Sequence, residues 1–551
     1  MLKSKYKENI MEKVILSVYT REVDKENYPA GLANSVHFSY KTLDGEEKVF
    51  HKNYGILFME ASITPENTIK PRGVRNPKLF TRDNDLFGVC AEVIWEDGTL
   101  DESYLGKVFW WSTEDFVEYK EEGILSVEEL QKWNPQTSLE FPACALEKAI
   151  LFWTPIENIG VDIPEKIEIS NRKELENLKV KALYNDGSVH EKKVLWDCSA
   201  IDFNIPGAYE INGKVLCNKF QFPLSKGYGD PVLLSWEGKW YFIATNDNLN
   251  DIGLYVREAE DIQGLFAENV VEHLILPFDK ARGFEQTFWA PEFHIIGGEL
   301  YILFAVSGEM WGPQCHVMKF KKGGSIIDEQ SWENPIPVVR MNGSSLAPGA
   351  ITLDMTYIKA DNASYMVWSY RKGIGTPLDT GSMLYIATVN ETEPWKLTSE
   401  PVLLTRPLYG WENVEGTINN EGPYAYVKGG KVYLTYSGGA ANGYTYALGL
   451  LTADTCADLL DLSSWKKSIY PVLTFYSVDG EYGPGHNSFF VDENGDLMIA
   501  YHAETDIKEH LRCDGIRRVH FRADGRPYFS MAACEDLKED FMAVQCNVIV
   551  K

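Results

Sequence analysis

Short alternating runs of apolar and polar residues fill most of the chain. They are rich in Val, Ile, Tyr, Phe and Trp and are separated by Asp-Gly, Gly-Gly and Asn-Gly pairs. A side-chain period of two, bounded by turn residues, predicts β-strands joined by tight turns. Helical periodicity is scarce. Residues 125–133 are the short helix the pattern predicts, with Ser126 as its N-cap and acids in its first turn.

From about residue 226 onward the strand pairs repeat. The units are GDPVLLSWEGKWYFIATND, APEFHIIGGELYILFAVS, LDMTYIKADNASYMVWSY, EGPYAYVKGGKVYLTYS and HNSFFVDENGDLMIAYHAE. Each has a polar leading residue, an apolar strand, a turn with Asp, Asn or Gly, and a second strand rich in aromatics. They recur at roughly 60–67 residues, a period that signals radial or solenoid architecture. Four-stranded blades around a central channel account for units of this length, and five units predict a five-bladed β-propeller over 226–551.

Two further regions precede it. Residues 1–150 carry NPKLFTRDNDLFGVCAEVIWEDG and GKVFWWSTEDFVEYKEE, each blade-like in pattern, which predict a β-rich accessory domain. Residues 155–222 alternate over Lys179–Tyr184, 192–196 and 208–215, with turns at Asn185-Asp186-Gly187 and Pro206-Gly207, as in a small sandwich. The spacing Y-N-D-G-S, V-L-W-D, P-G-A-Y-E-I-N-G resembles bacterial immunoglobulin-like domains, which implies a spacer or prop without chemistry of its own. The expected fold class is therefore all-β throughout.

A length of 551 residues fits several domains. The net charge of −27 excludes nucleic acid as a partner, because phosphates require clustered Lys and Arg. Aromatics at 13% suit sugars, whose C–H faces stack on rings, although β-rich proteins use aromatics in any case. The nine cysteines are scattered without a C-x-x-C pair, so neither a zinc knuckle nor a disulfide framework is expected. No apolar run approaches the length of a membrane span, and no membrane partner is expected. The first twenty residues lack the apolar core of a secretory signal, which gives a cytoplasmic location as the expectation.

Inner strands of successive blades face one channel, so residues at matching repeat positions converge. Acids stand at three of the five: Asp230 before Pro231, Asp354 in ITLDMTYI, and Glu421 before Gly422-Pro423. Among 80 acidic residues a single such position means little, but three at blade spacing point to a shared cavity. Converging carboxylates suit glycoside hydrolysis, in which one acid protonates the leaving oxygen and another activates water or attacks the anomeric carbon. A third nearby raises the pKa of the acid.

With Y-G-D-P-V-L-L, F-W-A-P-E-F-H, L-D-M-T-Y-I, N-N-E-G-P-Y-A-Y and G-P-G-H-N-S-F in this order, residues 226–535 resemble glycoside hydrolase family 43. The resemblance implies an inverting enzyme acting on arabinose- or xylose-containing oligosaccharides of plant cell walls, with no cofactor for its chemistry. It implies Asp230 as general base, Glu421 as general acid and Asp354 as the residue that tunes and orients it. It further implies a structural calcium on the propeller axis near His486, Trp289 lining the sugar pocket, and an arginine against a sugar hydroxyl. Arg512, Arg517 and Arg518 all stand near the right place; Arg512 is taken as the first choice. An exo-acting α-L-arabinofuranosidase is expected, with β-xylosidase and endo-arabinanase as alternatives on the same fold and a non-catalytic carbohydrate-binding propeller as the alternative of another class. Residues 1–225 exceed the minimal family pattern and are expected to cap one end of the channel. Ala290, Pro291 and Glu292 read as a structural turn.

Overall fold

The computed structural model describes residues 13–551 apart from 43–44 and 83–85. The chain divides into two compact units. The first comprises the described residues up to 154, together with 225–488 and 501–514; the second comprises 155–224, 489–500 and 515–551.

The repeat forms a five-bladed propeller. Four blades are four-stranded antiparallel sheets in sequential order, opening with Tyr228–Trp236, Gln286–Ile296, Ile351–Lys359 and Asn420–Lys428. The fifth sheet has three strands, Tyr482–Val491, Leu497–Glu504 and Cys513–Arg518. Sequential hairpins follow from the short turn signals, and the second strands are the most apolar because both faces are covered. Lys239–Asn246 and Lys431–Gly438, for example, are buried at every position after the first.

One local device recurs in every blade. The residues Asp230, Ala290, Asp354, Gly422 and His486, spaced at blade intervals, all have positive φ, between 41° and 60°. In the first four blades the strand register slips at this point: Gly229/Val232, Trp289/Glu292, Leu353/Thr356 and Glu421/Tyr424. These are β-bulges, which kink a strand and re-aim a side chain. Four non-glycine residues held in this sparsely populated region mark a backbone fixed by its surroundings.

The surroundings are hydrogen bonds between blades. Thr245 Oγ1 accepts from Ala290 N at 2.9 Å, and Asp354 Oδ2 accepts from Gly422 N at 3.1 Å. Ser437 Oγ accepts from His486 N at 2.8 Å. The ring closes where Asp230 N donates to His502 Nδ1 at 3.1 Å and Ser488 Oγ donates to the Pro231 carbonyl at 2.7 Å.

The N-terminal residues of the first unit form two four-stranded sheets. One has the order Ser138–Pro142, Lys13–Tyr19, His37–Lys41, Glu47–Val49, and the other runs from Arg72–Thr81 to Lys120–Ser126 in sequence order. Leu16, Phe38, Val93 and Trp111 fill the space between them, and the helix Ala143–Trp153 adds Leu146, Ala149 and Trp153. The predicted helix at 125–133 is shorter: Ser126 Oγ accepts from Glu129 N to cap Val127–Leu130, and a 3₁₀ turn Gln131–Trp133 follows.

This sandwich shares a core with the propeller. Tyr28, Leu32, Ala33, Tyr54 and Phe58 cluster with Trp411, Leu434 and Tyr436 of the fourth blade. Gly31 and Gly410 meet backbone to backbone; a Cβ on Gly31 would stand 2.6 Å from the Gly410 carbonyl oxygen, so neither position accepts a side chain. Ala61 N donates to the Leu408 carbonyl at 2.7 Å, and Arg406 Nη1 donates to Asn67 Oδ1 at 2.8 Å.

In the second unit a six-stranded sheet joins Asn158–Asp162, Lys179–Tyr184, Val189–Trp196, Gly207–Val215, Ala543–Val550 and Lys166–Ile169 in that spatial order. The strand Ala543–Val550 therefore completes the sheet formed by residues 158–215, pairing antiparallel with Gly207–Val215 and parallel with Lys166–Ile169. Inside this unit Asp536 receives Arg518 Nε at 3.0 Å, Lys192 Nζ at 2.9 Å and Tyr184 Oη at 2.8 Å.

Candidate active site

Asp230, Asp354 and His486 all occupy the positive-φ position of their blades, and His486 Nδ1 comes within 3.0 Å of Asp230 Oδ1. Asp230 and Asp354 are buried, 6% and 2% exposed. Glu421 stands one residue ahead of the bulge in its blade, in register with Gly229, Trp289, Leu353 and Gly485. As a whole residue it is half-buried, and its carboxyl is close enough to Asp354 and Asp230 to feel both charges. Space is tight here: a Cβ on Gly422, which follows Glu421 and has φ of +56°, would lie 2.8 Å from the His486 ring, and one on Gly229, which precedes Asp230, 2.1 Å from the Arg512 guanidinium.

Asp230 is held on every side. Its Oδ2 accepts from Thr245 Oγ1 at 2.5 Å. Its Oδ1 lies 3.0 Å from His486 Nδ1 and 3.1 Å from Arg512 Nη1. Burial alone would push its pKa up, but His486, Arg512 and His502 outweigh burial and hold the carboxyl well below the usual range.

Glu421 is in the opposite condition. Burial first, and then the neighbouring Asp354 charge, push its pKa up to about 8, against a smaller lowering by the Tyr446 hydroxyl. Tyr446 Oη donates to Glu421 Oε1 at 3.0 Å, and its ring stacks on His502 at 5.5 Å. Asp354 itself is raised by burial and by Asp230, with His486 acting against them; its Oδ2 accepts from Ser369 Oγ at 2.9 Å and from Gly422 N. The hydrogen bond to Gly422 ties Asp354 to the residue next to Glu421.

Trp289 is half-buried, and its indole N–H donates to Asp251 Oδ2 at 2.8 Å. Of the three arginines, Arg512 reaches Asp230 and also binds Asp247, with Nε to Oδ2 at 2.9 Å. Arg517 and Arg518 belong to the second unit, where Arg518 is engaged by Asp536.

Protein oxygens alone do not make a calcium cage around His486. Calcium needs six to eight oxygens, whereas His486 Nδ1 faces the one Asp230 oxygen already shared with Arg512. Among the described residues no group of three or more His, Cys, Asp or Glu is placed to hold a metal.

Pattern reading passed over four contributors. Glu292 is no mere turn: it is 2% exposed, its Oε2 lies 2.5 Å from His294 Nε2, and burial pushes its pKa well up. His502, Tyr446 and Asp251 lie on second strands or loops, outside the repeated leading positions. Only their place in the blade repeat, at the ends of strands that face the inner strand, could have singled them out.

The model of glycosyl hydrolases family 43 matches residues 221–527, more than half of the chain. The chain belongs to glycosyl hydrolase family 43. A bacterial Ig-like domain model of group 4 matches residues 178–216. Among family 43 relatives, an extracellular exo-α-(1→5)-L-arabinofuranosidase of Streptomyces avermitilis is 31% identical over 57% of this chain and 64% of its own length. A protein of the same name from Streptomyces chartreusis is 32% identical over 52% of this chain and 82% of its own. α-L-Arabinofuranosidase B of Pyricularia oryzae is 31% identical over 56% and 62%. The chain thus spans less than two thirds of the length of the first and third of these. A solved structure, an α-L-arabinofuranosidase from Lactobacillus brevis, is 30% identical and covers 56% of this chain and 95% of its own, with a TM-score of 0.49. Family 43 chemistry needs no cofactor. The expected cytoplasmic location is overturned, since the two Streptomyces relatives are extracellular. The apolar content of the first twenty residues, on which it leaned, does not decide the matter.

Proposed function

We propose that the protein is an inverting exo-α-L-arabinofuranosidase, with Glu421 as general acid, Asp230 as general base and Asp354 as the residue that keeps Glu421 protonated. One observation carries this reading: two carboxyls in one site are driven in opposite directions, Asp230 down by its cations and Glu421 up to about 8 by burial and Asp354. Such divergence separates a base from an acid at neutral pH.

Asp230, ionised, accepts a proton from a water as that water attacks the anomeric carbon. The bond from that carbon to the leaving oxygen breaks, and Glu421 delivers its proton to that oxygen. Solvent then resets both groups. Inversion requires room for the water, which corresponds to roughly 6.5–9.5 Å between the two carboxyls. Arg512, bridging Asp247 and Asp230, fixes the base, and the half-buried face of Trp289 suits the sugar ring. The names of the relatives support arabinofuranose as the sugar and release from chain ends as the mode.

The test is hydrolysis of 4-nitrophenyl α-L-arabinofuranoside, 4-nitrophenyl β-D-xylopyranoside and short α-1,5-arabinan and xylan oligomers, with and without Glu421→Gln. Preferential cleavage of the arabinosides, lost by about 10²-fold or more in the variant, supports the reading. Preference for the xyloside, or an unaffected variant, refutes it.

A further inference from the structure

The inner strands all begin on one face of the propeller, and Asp230, Asp354, Glu421 and Trp289 sit near those beginnings. That face also carries the turns from each second strand to each third strand. In the second blade the turn is unusual. Met310 is 89% exposed and Trp311, the first residue of its third strand, is 36% exposed. A tryptophan presented to water in this way calls for an explanation, because indole is the largest apolar surface a residue can offer.

The indole is backed by structure on one side. It lies against two glycines: a Cβ on Gly308 would stand 2.6 Å from Nε1, and one on Gly283 3.3 Å from the same atom. Any side chain at Gly308 would therefore displace the ring. His316 supports it, with ring centroids 6.1 Å apart, and is itself stacked on Phe304 at 5.8 Å. The ring is positioned from below and open above.

Register places it beside the site. Trp311 pairs with Gly308, next to Ser307, which pairs with Gln286, three residues before Trp289. On its other flank, a Cβ on Gly312 would come 2.6 Å from Ile351 Cγ2, and Ile351 is three residues before Asp354. The indole thus stands at the rim between the strands that carry Trp289 and Asp354. Below that rim the aspartates, His486 and Glu292 are buried, whereas Trp311 is open to solvent. A terminal sugar held among the buried carboxyls would leave the sugars behind the scissile bond at the rim.

Resting on the arabinofuranosidase reading, we propose that Trp311 is a specificity-determining platform on which the C–H face of a leaving-side pentose of an arabino-oligosaccharide stacks. Its absence penalises oligosaccharides and spares substrates whose leaving group is too small to reach it. The experiment compares kcat/KM for α-1,5-arabinotriose with that for methyl α-L-arabinofuranoside in wild-type protein, Trp311→Ala and Trp311→Phe. The ratio of the two is expected to fall about tenfold in Trp311→Ala, through KM, and to recover largely in Trp311→Phe. An unchanged ratio overturns the proposal, and so does an equal loss on both substrates. A change of oligomeric state in Trp311→Ala with the ratio unchanged would assign the indole to a contact between copies and overturn it too. If the wild-type protein cleaves neither arabinoside, the reading of the reaction fails separately. Calorimetric titration of arabinotriose then judges the platform: roughly tenfold weaker binding to Trp311→Ala supports it, and equal or absent binding to both proteins overturns it.

Discussion

Replacing Asp354 by Asn removes one charge from the site while keeping an oxygen to accept from Ser369 Oγ and Gly422 N. Glu421, whose pKa lies at about 8, owes part of that rise to the Asp354 charge, after burial. Two unit charges roughly 6 Å apart at an effective dielectric of about 20 repel by about 3 kcal/mol, equivalent to about two pH units. Burial persists in the variant, so the pKa stays above that of a free glutamate, and a fall of about one to two pH units is expected. The acid works protonated: activity is present below its pKa and is lost as pH rises through it. The alkaline limb of kcat/KM against pH, set by the free enzyme, is therefore expected near pH 8 in wild-type protein and about one to two units lower in Asp354→Asn. The assay is initial rates on 4-nitrophenyl α-L-arabinofuranoside across the pH range, repeated with a 2,4-dinitrophenyl leaving group that needs little protonation and should flatten the limb. A limb that stays in place, or moves to higher pH, refutes the assignment of Asp354 as the group that raises Glu421.

Arg512→Met removes a cation that, with His486, outweighs burial at Asp230. The base works ionised and its pKa then rises, so the acidic limb of kcat/KM should move to higher pH; a limb unmoved in the same assay counts against the clamp. Asp536→Ala leaves Arg518 and Lys192, whose side chains are 4% and 1% exposed, without their counter-charge. Breaking a buried pair in this way costs about 3–5 kcal/mol, which thermal unfolding should show as a marked loss of stability, whereas an unchanged melting temperature contradicts it. Deleting residues 1–154 strips Tyr28, Leu32, Tyr54 and Phe58 from the core shared with Trp411 and Tyr436. At about 1.5–3 kcal/mol for each large side chain, roughly 6–12 kcal/mol are lost. The shortened protein is expected to aggregate or melt far below the full chain; a soluble fragment with the full-length melting temperature refutes the shared core.

Local pattern carried the propeller because each blade is a run of sequential hairpins, whose partners are neighbours in the chain. It also makes Asp230 and Asp354 legible as equivalent positions, since both fall on the repeated bulge. Glu421 is one residue off that bulge, a displacement that a period of two hides and that only the positive φ of Gly422 reveals. The strand Ala543–Val550 joins a sheet whose other members end by residue 215, and no local signal names a partner more than three hundred residues away. Arg512 could not be told from Arg517 and Arg518 by spacing, because the choice rests on which guanidinium finds Asp230 and Asp247 and which finds Asp536. Glu292 looked like a turn residue because its leading Ala-Pro is one; its burial against His294 is a tertiary property.

In the proposed mechanism an ionised Asp230 drives water onto the anomeric carbon with no covalent intermediate, while Glu421 supplies the proton. Hydrolysis of an aryl α-L-arabinofuranoside in water containing methanol tests this directly by proton NMR. Arabinose is expected with inverted anomeric configuration and without methyl arabinofuranoside, because only the water held by Asp230 attacks. Accumulation of methyl α-L-arabinofuranoside with retained configuration would contradict it, since that product requires a glycosyl-enzyme intermediate open to attack by either solvent.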